Sequence, residues 1–226
     1  PIVKEKEDEV FDAFSGKEQR YRNRHLDLIV NPNVRETFVK RSQIIKSIRA
    51  FLDELGFLEV ETPVLQPIYG GANARPFTTH HNALNQKFYL RIADELYLKR
   101  LIIGGIDRVY EIAKDFRNEG MDRNHNPEFT MLEFYWAYAD YEDNMNLVEK
   151  MIRAAAKDIG AENLNWNNED IDLSKDFKRI PFFEIINENI GQDISNLDFG
   201  ELKKLCLSKG LSIETEKTYS QLLDRL

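Results

Sequence analysis

Apolar residues recur at three- and four-residue steps between Asn33 and Leu55, which predicts a long amphipathic helix. Asn33 follows a proline and is placed to cap the first turn, and Gly56 is placed to end the last one. Residues 1–19 are highly charged and have no clear period, so we expect a solvated lead-in or linker there. The face that the helix turns inward is mostly apolar and comprises Val34, Phe38, Arg41, Ile45, Ile48, Leu52 and Leu55.

A short strand and a second helix follow the long helix. The segment FLEVETPVL, residues 57–65, alternates as a strand does and is broken at Pro63. Two adjacent glycines, Gly70 and Gly71, then mark a tight turn or a close approach of the backbone. The segment DELYLKRLII predicts a helix over residues 94–103 with its first residue, Asp94, as the N-cap.

Residues 108–117 and 129–138 alternate as two strands around the polar segment 120–128. This pattern predicts a hairpin with a long loop, and long ordered loops tend to carry function. A helical pattern then runs as far as residue 160. The remainder is polar, with short helical segments ending at glycines. We therefore expect a main domain over residues 20–160 and a satellite segment over residues 161–226.

Composition narrows the class of protein. The 226 residues are 42% hydrophobic and 31% charged, as in an ordinary globular protein. The longest apolar run, Leu101 to Ile106, is far too short to cross a membrane, and the acidic first residues do not resemble a signal peptide. Cys206 is the only cysteine, so no internal disulfide forms and a reducing, cytoplasmic setting fits best.

The net charge of −8 bears on the kind of partner. Proteins that bind nucleic acid over their surface usually carry a basic patch, so this balance counts mildly against such a surface. It does not count against an anionic small molecule held by a few local arginines. The charge therefore directs attention to a local site.

The second strand of the predicted hairpin carries an unexpected carboxylate. Because side chains alternate along a strand, Glu133 shares a face with Phe129, Met131 and Tyr135. A buried carboxylate needs a cation or hydrogen bonds, since leaving it unpaired is costly. A salt bridge to a nearby arginine and an ammonium group of a ligand both meet that need. The opposite face is almost wholly apolar and suits a core, with Thr130, Leu132, Phe134, Trp136 and Tyr138.

The first strand of the hairpin ends in a possible anion contact. Arg117 and Glu119 share a face there, and a guanidinium at this point can hold a phosphate by two hydrogen bonds. A surface pair between the two side chains is the simpler alternative. His125 in the loop is either a phosphate donor or a solvated side chain. Pattern and periodicity alone do not name a reaction.

The strings FRNEG and HNPEFTMLEFY, from Phe116 to Tyr135, resemble the second signature motif of the class II aminoacyl-tRNA synthetases, in its lysine-specific form. The segment GFLEVETPVLQP is similar to the first signature motif, and GGANARPFTTHHNALNQKFYLRIADELYLKRL between them also resembles the lysine enzymes. The resemblance implies an α+β fold, the class II synthetase catalytic fold, in which an antiparallel sheet is flanked by helices. It implies that this fold is truncated here.

The resemblance also implies roles in ATP binding. Arg117 would contact the α-phosphate of ATP and stabilise the transition state, which makes it the catalytic residue. Glu119 would hold the adenine amino group or its neighbourhood. His125 and Asn126 would reach the phosphates and the adenine from the loop, and Phe129 would stack on the adenine ring.

A second set of residues is implied to bind lysine. Glu133 and Tyr135 would recognise the ε-ammonium group, which supplies the cation that Glu133 needs. Gly71 and Glu95 would contact the α-amino end of the amino acid. Pro63, within the first motif, would belong to a dimer interface.

The activity implied is that of a lysine–tRNA ligase, which joins lysine to ATP as lysyl-adenylate and then transfers it to tRNA(Lys). A cytoplasmic homodimer that uses ATP and Mg²⁺ and has no membrane contact is implied with it. Nothing after Tyr141 matches the third signature motif, so we expect a fragment that is inactive alone. Most Mg²⁺ ligands are expected outside it, and none is assigned here.

Two alternatives remain open at this stage. One is a related enzyme that uses the same lysine-activating core to modify a translation elongation factor. The other is a non-catalytic dimerisation or binding module built on the same fold. The intact set of Arg117, His125, Phe129 and Glu133 counts against the module.

Overall fold

The computed structural model describes residues 14–226 in full and the backbone of residues 3–6 and 9–12. The contacts divide the chain into two compact units, residues 1–175 and residues 176–226. Part of the predicted lead-in, at residues 1, 2, 7, 8 and 13, lies outside the described residues.

The helices in the described part of the chain are α1 (Lys17–Arg22), α2 (Arg24–Val30), α3 (Pro32–Glu54), α4 (Glu95–Ile103), α5 (Tyr141–Asp158), α6 (Phe182–Ile190), α7 (Phe199–Ser208) and α8 (Tyr219–Leu223). The strands are β1 (Val3–Lys6), β2 (Glu9–Asp12), β3 (Leu58–Glu59), β4 (Leu65–Gln66), β5 (Thr78–His81), β6 (Gln86–Leu90), β7 (Arg108–Phe116), β8 (Glu128–Trp136), β9 (Asn163–Trp166) and β10 (Glu169–Asp172). This mixture of helices with largely antiparallel sheets confirms the predicted α+β class.

The first unit contains two three-stranded sheets. One has the order β3-β7-β8, with β3 parallel to β7 and β8 antiparallel to it. The other has the order β4-β6-β5 and is antiparallel throughout. Two-stranded hairpins, β1-β2 and β9-β10, complete the strands of this unit. The β9-β10 hairpin falls in the first unit, although the sequence interpretation began the satellite segment at residue 161.

The core of the first unit lies between helices α3 and α5 and the β7-β8 hairpin. Its buried residues are Leu52, Phe57, Tyr110, Leu147 and Met151. The apolar face predicted for β8 packs here through its leucine, phenylalanine and tryptophan side chains. The other face of the hairpin is therefore free to carry polar chemistry.

Two predicted strands are shorter in the structure. The segment 57–65 forms only β3 and β4, because Pro63 lacks an N–H group and the Thr62 N–H donates to the Glu111 side chain instead of to a strand. Strand β8 ends at Trp136 rather than at Tyr138. The latter has a φ of 65°, which a strand cannot accommodate.

The second unit has its own core around α6, α7 and α8. The buried side chains are Ile186, Ile194, Leu202, Leu205, Cys206, Ile213 and Leu222. Capping boxes begin α7 and α8, and Gly191 ends α6 in the left-handed conformation, as the sequence predicted. Among the described residues, no helix combines the length and apolarity needed to span a membrane.

Candidate active site

The residues implied to bind ATP come together at one end of the β7-β8 hairpin. They line an open cavity of about 460 Å³, and the loop between the strands forms part of its wall. All five are among its lining residues, namely Arg117, Glu119, His125, Asn126 and Phe129. A nucleotide-sized cavity therefore lies at the residues that resemble the second signature motif.

Arg117 has no carboxylate within ion-pairing distance among the residues the structure describes. Its Nε and Nη2 atoms donate to the Ile92 carbonyl, both at 3.4 Å, and its guanidinium lies 5.0 Å from the centre of the Phe129 ring. Glu119 does not pair with it, because the Glu119 carboxylate accepts the Arg75 N–H at 3.0 Å. The surface pair considered from the sequence does not form, so the Arg117 charge is available to an anion.

His125 is held by a residue that the sequence interpretation missed. One carboxylate oxygen of Asp122 accepts the N–H groups of Asn124 and His125 at 2.7 and 2.8 Å. The same carboxylate lies 2.8 Å from His125 Nδ1. These contacts, with the Asn124 N–H first, lower the pKa of Asp122. When the His125 Nδ1–H group donates to the Asp122 carboxylate, the Nε2 atom remains free to contact a ligand. The short spacing from Asp122 to His125 was the signal available in the sequence.

Glu133 is partly buried and has no cation partner among the described residues. Its Oε1 accepts the Asp94 N–H at 3.2 Å and its Oε2 accepts the Tyr135 hydroxyl at 3.2 Å. No arginine or lysine of the described chain forms a salt bridge with it. Glu95 differs, since Lys99 pairs with it at 2.7 Å. The salt bridge from Glu133 to a nearby arginine, which the sequence left open, therefore does not form among the described residues.

Tyr135 adjoins both of these carboxylates. Burial raises the pKa of its hydroxyl, and the charges of Glu133 and Glu95 raise it further. The ring also lies 6.0 Å from the Lys99 ammonium, at a distance typical of a cation–π contact. Tyr135 thus stays a neutral hydrogen-bond donor and acceptor between two anions.

Gly71 approaches the start of helix α4. Its φ of +88° suits glycine, and a Cβ atom there would lie 2.8 Å from the Glu95 Cβ and 3.1 Å from the Ala93 Cβ. The close approach predicted for the glycine pair is therefore present. It brings Gly71 beside Glu95, its partner in the implied lysine set.

Beneath Glu133 lies a buried charge cluster that the sequence interpretation also missed. The Arg91 guanidinium lies 3.2 Å from Asp94, 2.7 Å from Glu111 and 3.4 Å from Asp115. Asp94 was predicted to cap α4, but its side chain makes no capping hydrogen bond. Glu111 pairs directly with Glu133 across the hairpin, so both project to the same face.

Part of this cluster left a signal in the sequence. Glu111 and Asp115 lie four residues apart on one strand and therefore on one face, the face that carries Glu133. No pattern in the sequence indicated that Arg91 belongs to the cluster, because its contact with Glu111 depends on how the two sheets pack. Burial raises the pKa of Asp94 to about 8 and that of Asp115 to about 6.

Pro63 lies between two residues that accept hydrogen bonds from Arg91, namely Thr62 and Val64. It is exposed, as are the apolar side chains that follow it in the segment to Tyr69. They are Val64, Leu65, Ile68 and Tyr69.

A family model described as tRNA synthetases class II (D, K and N) matches residues 16–219. The chain belongs to this family. Similar curated relatives of this class II synthetase are named lysine–tRNA ligase. The one from Porphyromonas gingivalis strain W83 is 49% identical over the whole chain, which covers 39% of that relative.

Two further lysine–tRNA ligases are similar. That of Roseiflexus castenholzii is 52% identical over 96% of the chain and 45% of the relative. That of Carboxydothermus hydrogenoformans is 55% identical over 84% of the chain and 39% of the relative. The chain thus spans about two fifths of the length of these curated relatives, 39% to 45%.

Proposed function

We propose that the full-length protein is a lysine–tRNA ligase that activates lysine with ATP and transfers it to tRNA(Lys). The observation that carries the proposal is Glu133, a carboxylate that has no cation partner among the described residues and shares a face of strand β8 with Phe129, which lines the nucleotide-sized cavity. The family takes in enzymes for D, K and N. Of these amino acids, only lysine has an ammonium side chain. The Glu133 carboxylate would repel an aspartate side chain and would not find a cation in an asparagine amide.

In the first step, a lysine carboxylate oxygen attacks the α-phosphorus of ATP, a P–O bond forms, and the bond to pyrophosphate breaks. Arg117 is the catalytic residue, because its unpaired guanidinium stabilises the charge on the α-phosphate oxygens. Phe129 stacks on adenine, and His125 and Asn126 contact the nucleotide from the loop. Glu119 lies next to the adenine amino group.

Glu133 and Tyr135 receive the ε-ammonium group of lysine, and Gly71 and Glu95 lie at its α-amino end. Holding both ends of the amino acid fixes its carboxylate for in-line attack on phosphorus. In the second step, a terminal ribose hydroxyl of tRNA attacks the lysyl carbonyl, an ester bond forms as the bond to the phosphate breaks, and AMP leaves and takes up the hydroxyl proton. The four contacts act on position and do not exchange protons with the substrate.

Mg²⁺ accompanies ATP in such reactions and neutralises phosphate charge. The two carboxylates that line the cavity do not form a site for it. Glu119 accepts the Arg75 N–H, and Asp122 is occupied by Asn124 and His125. We therefore assign no Mg²⁺ ligand among the described residues, and no step above passes through the metal.

The protein is further proposed to act in the cytoplasm, as a homodimer that uses the face around Pro63. The exposed apolar residues of the segment to Tyr69 support this interface, since a contiguous apolar surface favours burial against a partner.

Pyrophosphate exchange with the full-length protein tests the proposal. Lysine should support exchange between pyrophosphate and ATP, and aspartate and asparagine should not. Charging of tRNA in the second half-reaction should then follow. Exchange that depends on aspartate or asparagine would refute the lysine assignment. Transfer of lysine to a translation elongation factor instead of tRNA would favour the related modifying enzyme.

A further inference from the structure

The buried cluster beneath Glu133 contains more negative than positive groups. Arg91 lies within ion-pairing distance of Asp94, Glu111 and Asp115. Glu133 is a fourth carboxylate next to the two aspartates. The facing groups with charge or a titratable proton are Arg91, Arg117, Glu111, Glu133 and Tyr135. Two guanidinium groups therefore oppose four carboxylates, if all of these are ionised.

Hydrogen bonds show where the excess charge lies. Glu111 is well satisfied, because it accepts the Thr62 N–H at 3.1 Å, the Thr62 hydroxyl at 2.6 Å and Arg91 at 2.7 Å. Asp94 and Asp115 are both fully buried, and no oxygen of either side chain has a hydrogen-bond partner among the described residues. A buried carboxylate in this state is costly, so the pair should bind a proton or a cation.

A proton fits the pair better than a metal ion. Mg²⁺ and Ca²⁺ take six or more oxygen ligands and usually retain water, whereas both aspartates have 0% exposure and Arg91 already lies against them. A carboxyl oxygen of Asp94 lies within 4.8 Å of one of Asp115, and two carboxyl groups held close together commonly share one proton. Burial raises the pKa of both groups, and a hydrogen bond from protonated Asp94 would make Asp115 the acceptor.

We propose that Asp94 and Asp115 are a positioning pair that holds one proton between them and leaves Glu133 as the ionised carboxylate for the ligand ammonium. The link to Glu133 is direct, because the Asp94 N–H donates to Glu133 Oε1 at 3.2 Å. A shift of the Asp94 backbone would therefore disturb one of the two hydrogen bonds that hold the Glu133 side chain. The role of Glu133 in binding the ligand ammonium rests on the proposed function, whereas the proton shared by Asp94 and Asp115 does not depend on it.

Substitutions in the full-length protein separate positioning from simple packing. In Asp115→Asn, the side-chain amide can keep a hydrogen bond within the pair, although the donor is now residue 115 and the Asp94 carboxylate accepts. We expect its KM for lysine to stay within about threefold of the wild-type value. In Asp115→Ala, the hydrogen bond within the pair is lost and the KM for lysine should rise about tenfold or more, with the KM for ATP little changed. Equal loss in both variants would overturn the proposal.

Infrared spectroscopy of the wild-type protein tests the proton itself, even if the alanine variant does not fold. The carbonyl stretch of a protonated carboxylic acid should be present near neutral pH, disappear above about pH 8 and be absent in Asp115→Asn. Added Mg²⁺, Mn²⁺ or Ca²⁺ should leave the band unchanged. A missing band at neutral pH, or its loss when one of these metals binds, would overturn the proposal. A protein that shows the band but does not activate lysine would refute only the proposed function.

Discussion

At the scale of single residues, Glu95 and Glu133 differ in whether a cation of the chain neutralises them. Both carboxylates adjoin Tyr135, but Lys99 neutralises Glu95 alone. Glu133 has two hydrogen bonds and no cation among the described residues. Electrostatic attraction for an ammonium should therefore be strongest at Glu133, where a charged hydrogen bond would complete the balance.

Removing the Asp122 side chain should weaken ATP binding. In Asp122→Ala, the loop loses the acceptor of two backbone N–H groups and of His125 Nδ1, so the imidazole is no longer oriented. We expect the KM for ATP to rise about three- to tenfold with the KM for lysine unchanged, as measured by pyrophosphate exchange. Asp170→Ala, in the β9-β10 hairpin, is the control. An Asp122→Ala protein with a normal KM for ATP would contradict this role.

The aspartate pair should make stability depend on pH. The pKa of Asp94 rises from 3.8 to about 8 on folding, so the folded state binds more protons than the unfolded state between these values. Its contribution is fully present below pH 3.8 and is lost as pH rises through the folded value. Urea unfolding should show the free energy of unfolding falling by about 1 kcal/mol per pH unit between roughly pH 5 and pH 7.

Asp115→Asn is the matched comparison, since it removes one member of the titrating pair. Its free energy of unfolding should change less with pH over the same interval. A wild-type stability that rises with pH, or a slope identical in the two proteins, would show that the pair does not titrate in this way.

At the scale of elements, the β7-β8 hairpin organises the site, and the sequence predicted much of it. Alternation was sufficient to assign the faces of β8, since its apolar face does pack into the core. The cluster under Glu133 could not be predicted, because Arg91 and Asp94 reach Glu111 and Asp115 from another part of the chain. Local pattern gives the direction of a side chain, whereas tertiary packing decides which charges meet.

Helix α4 should be displaced by a methyl group at Gly71. In Gly71→Ala, the new Cβ would lie 2.8 Å from the Glu95 Cβ at a φ of +88°, so the start of the helix must move. We expect a loss of about 1–3 kcal/mol in stability and a higher KM for lysine, measured by urea unfolding and pyrophosphate exchange.

Gly105→Ala provides the control for backbone strain. Gly105 has a φ of +95°, but no atom lies within 4 Å of the position that an added methyl group would take, so only the strain is shared with Gly71. Its KM for lysine should stay normal. If the two variants raise that KM equally, the close approach of Gly71 to Glu95 does not position the lysine site.

At the scale of the whole molecule, the chain has two units with separate cores, and its family membership was predictable from short motifs. The motifs are informative because they contain the residues that line the cavity. The division at residue 175 was not predicted, because the β9-β10 hairpin is polar and resembles a linker in sequence. The proposed dimer also belongs to this scale.

A charge on the proposed interface should prevent dimer formation. Ile68 is 70% exposed, so Ile68→Glu should leave the fold intact while placing a carboxylate against the partner. Light scattering with the full-length protein should detect a shift from dimer to monomer. Ile103→Glu, at a side chain that is 85% exposed, is the matched control and should remain dimeric. An unchanged mass for Ile68→Glu would exclude this face.

The most direct test of the account is the KM for lysine of Glu133→Gln in the full-length protein. The change removes the charge that should receive the ammonium and retains the size of the side chain. We predict an increase of at least about tenfold in the KM for lysine and little change in the KM for ATP. Glu128→Gln, an exposed position on the same strand, should change neither. A normal KM for lysine in Glu133→Gln would contradict the assignment of this carboxylate to the lysine ammonium.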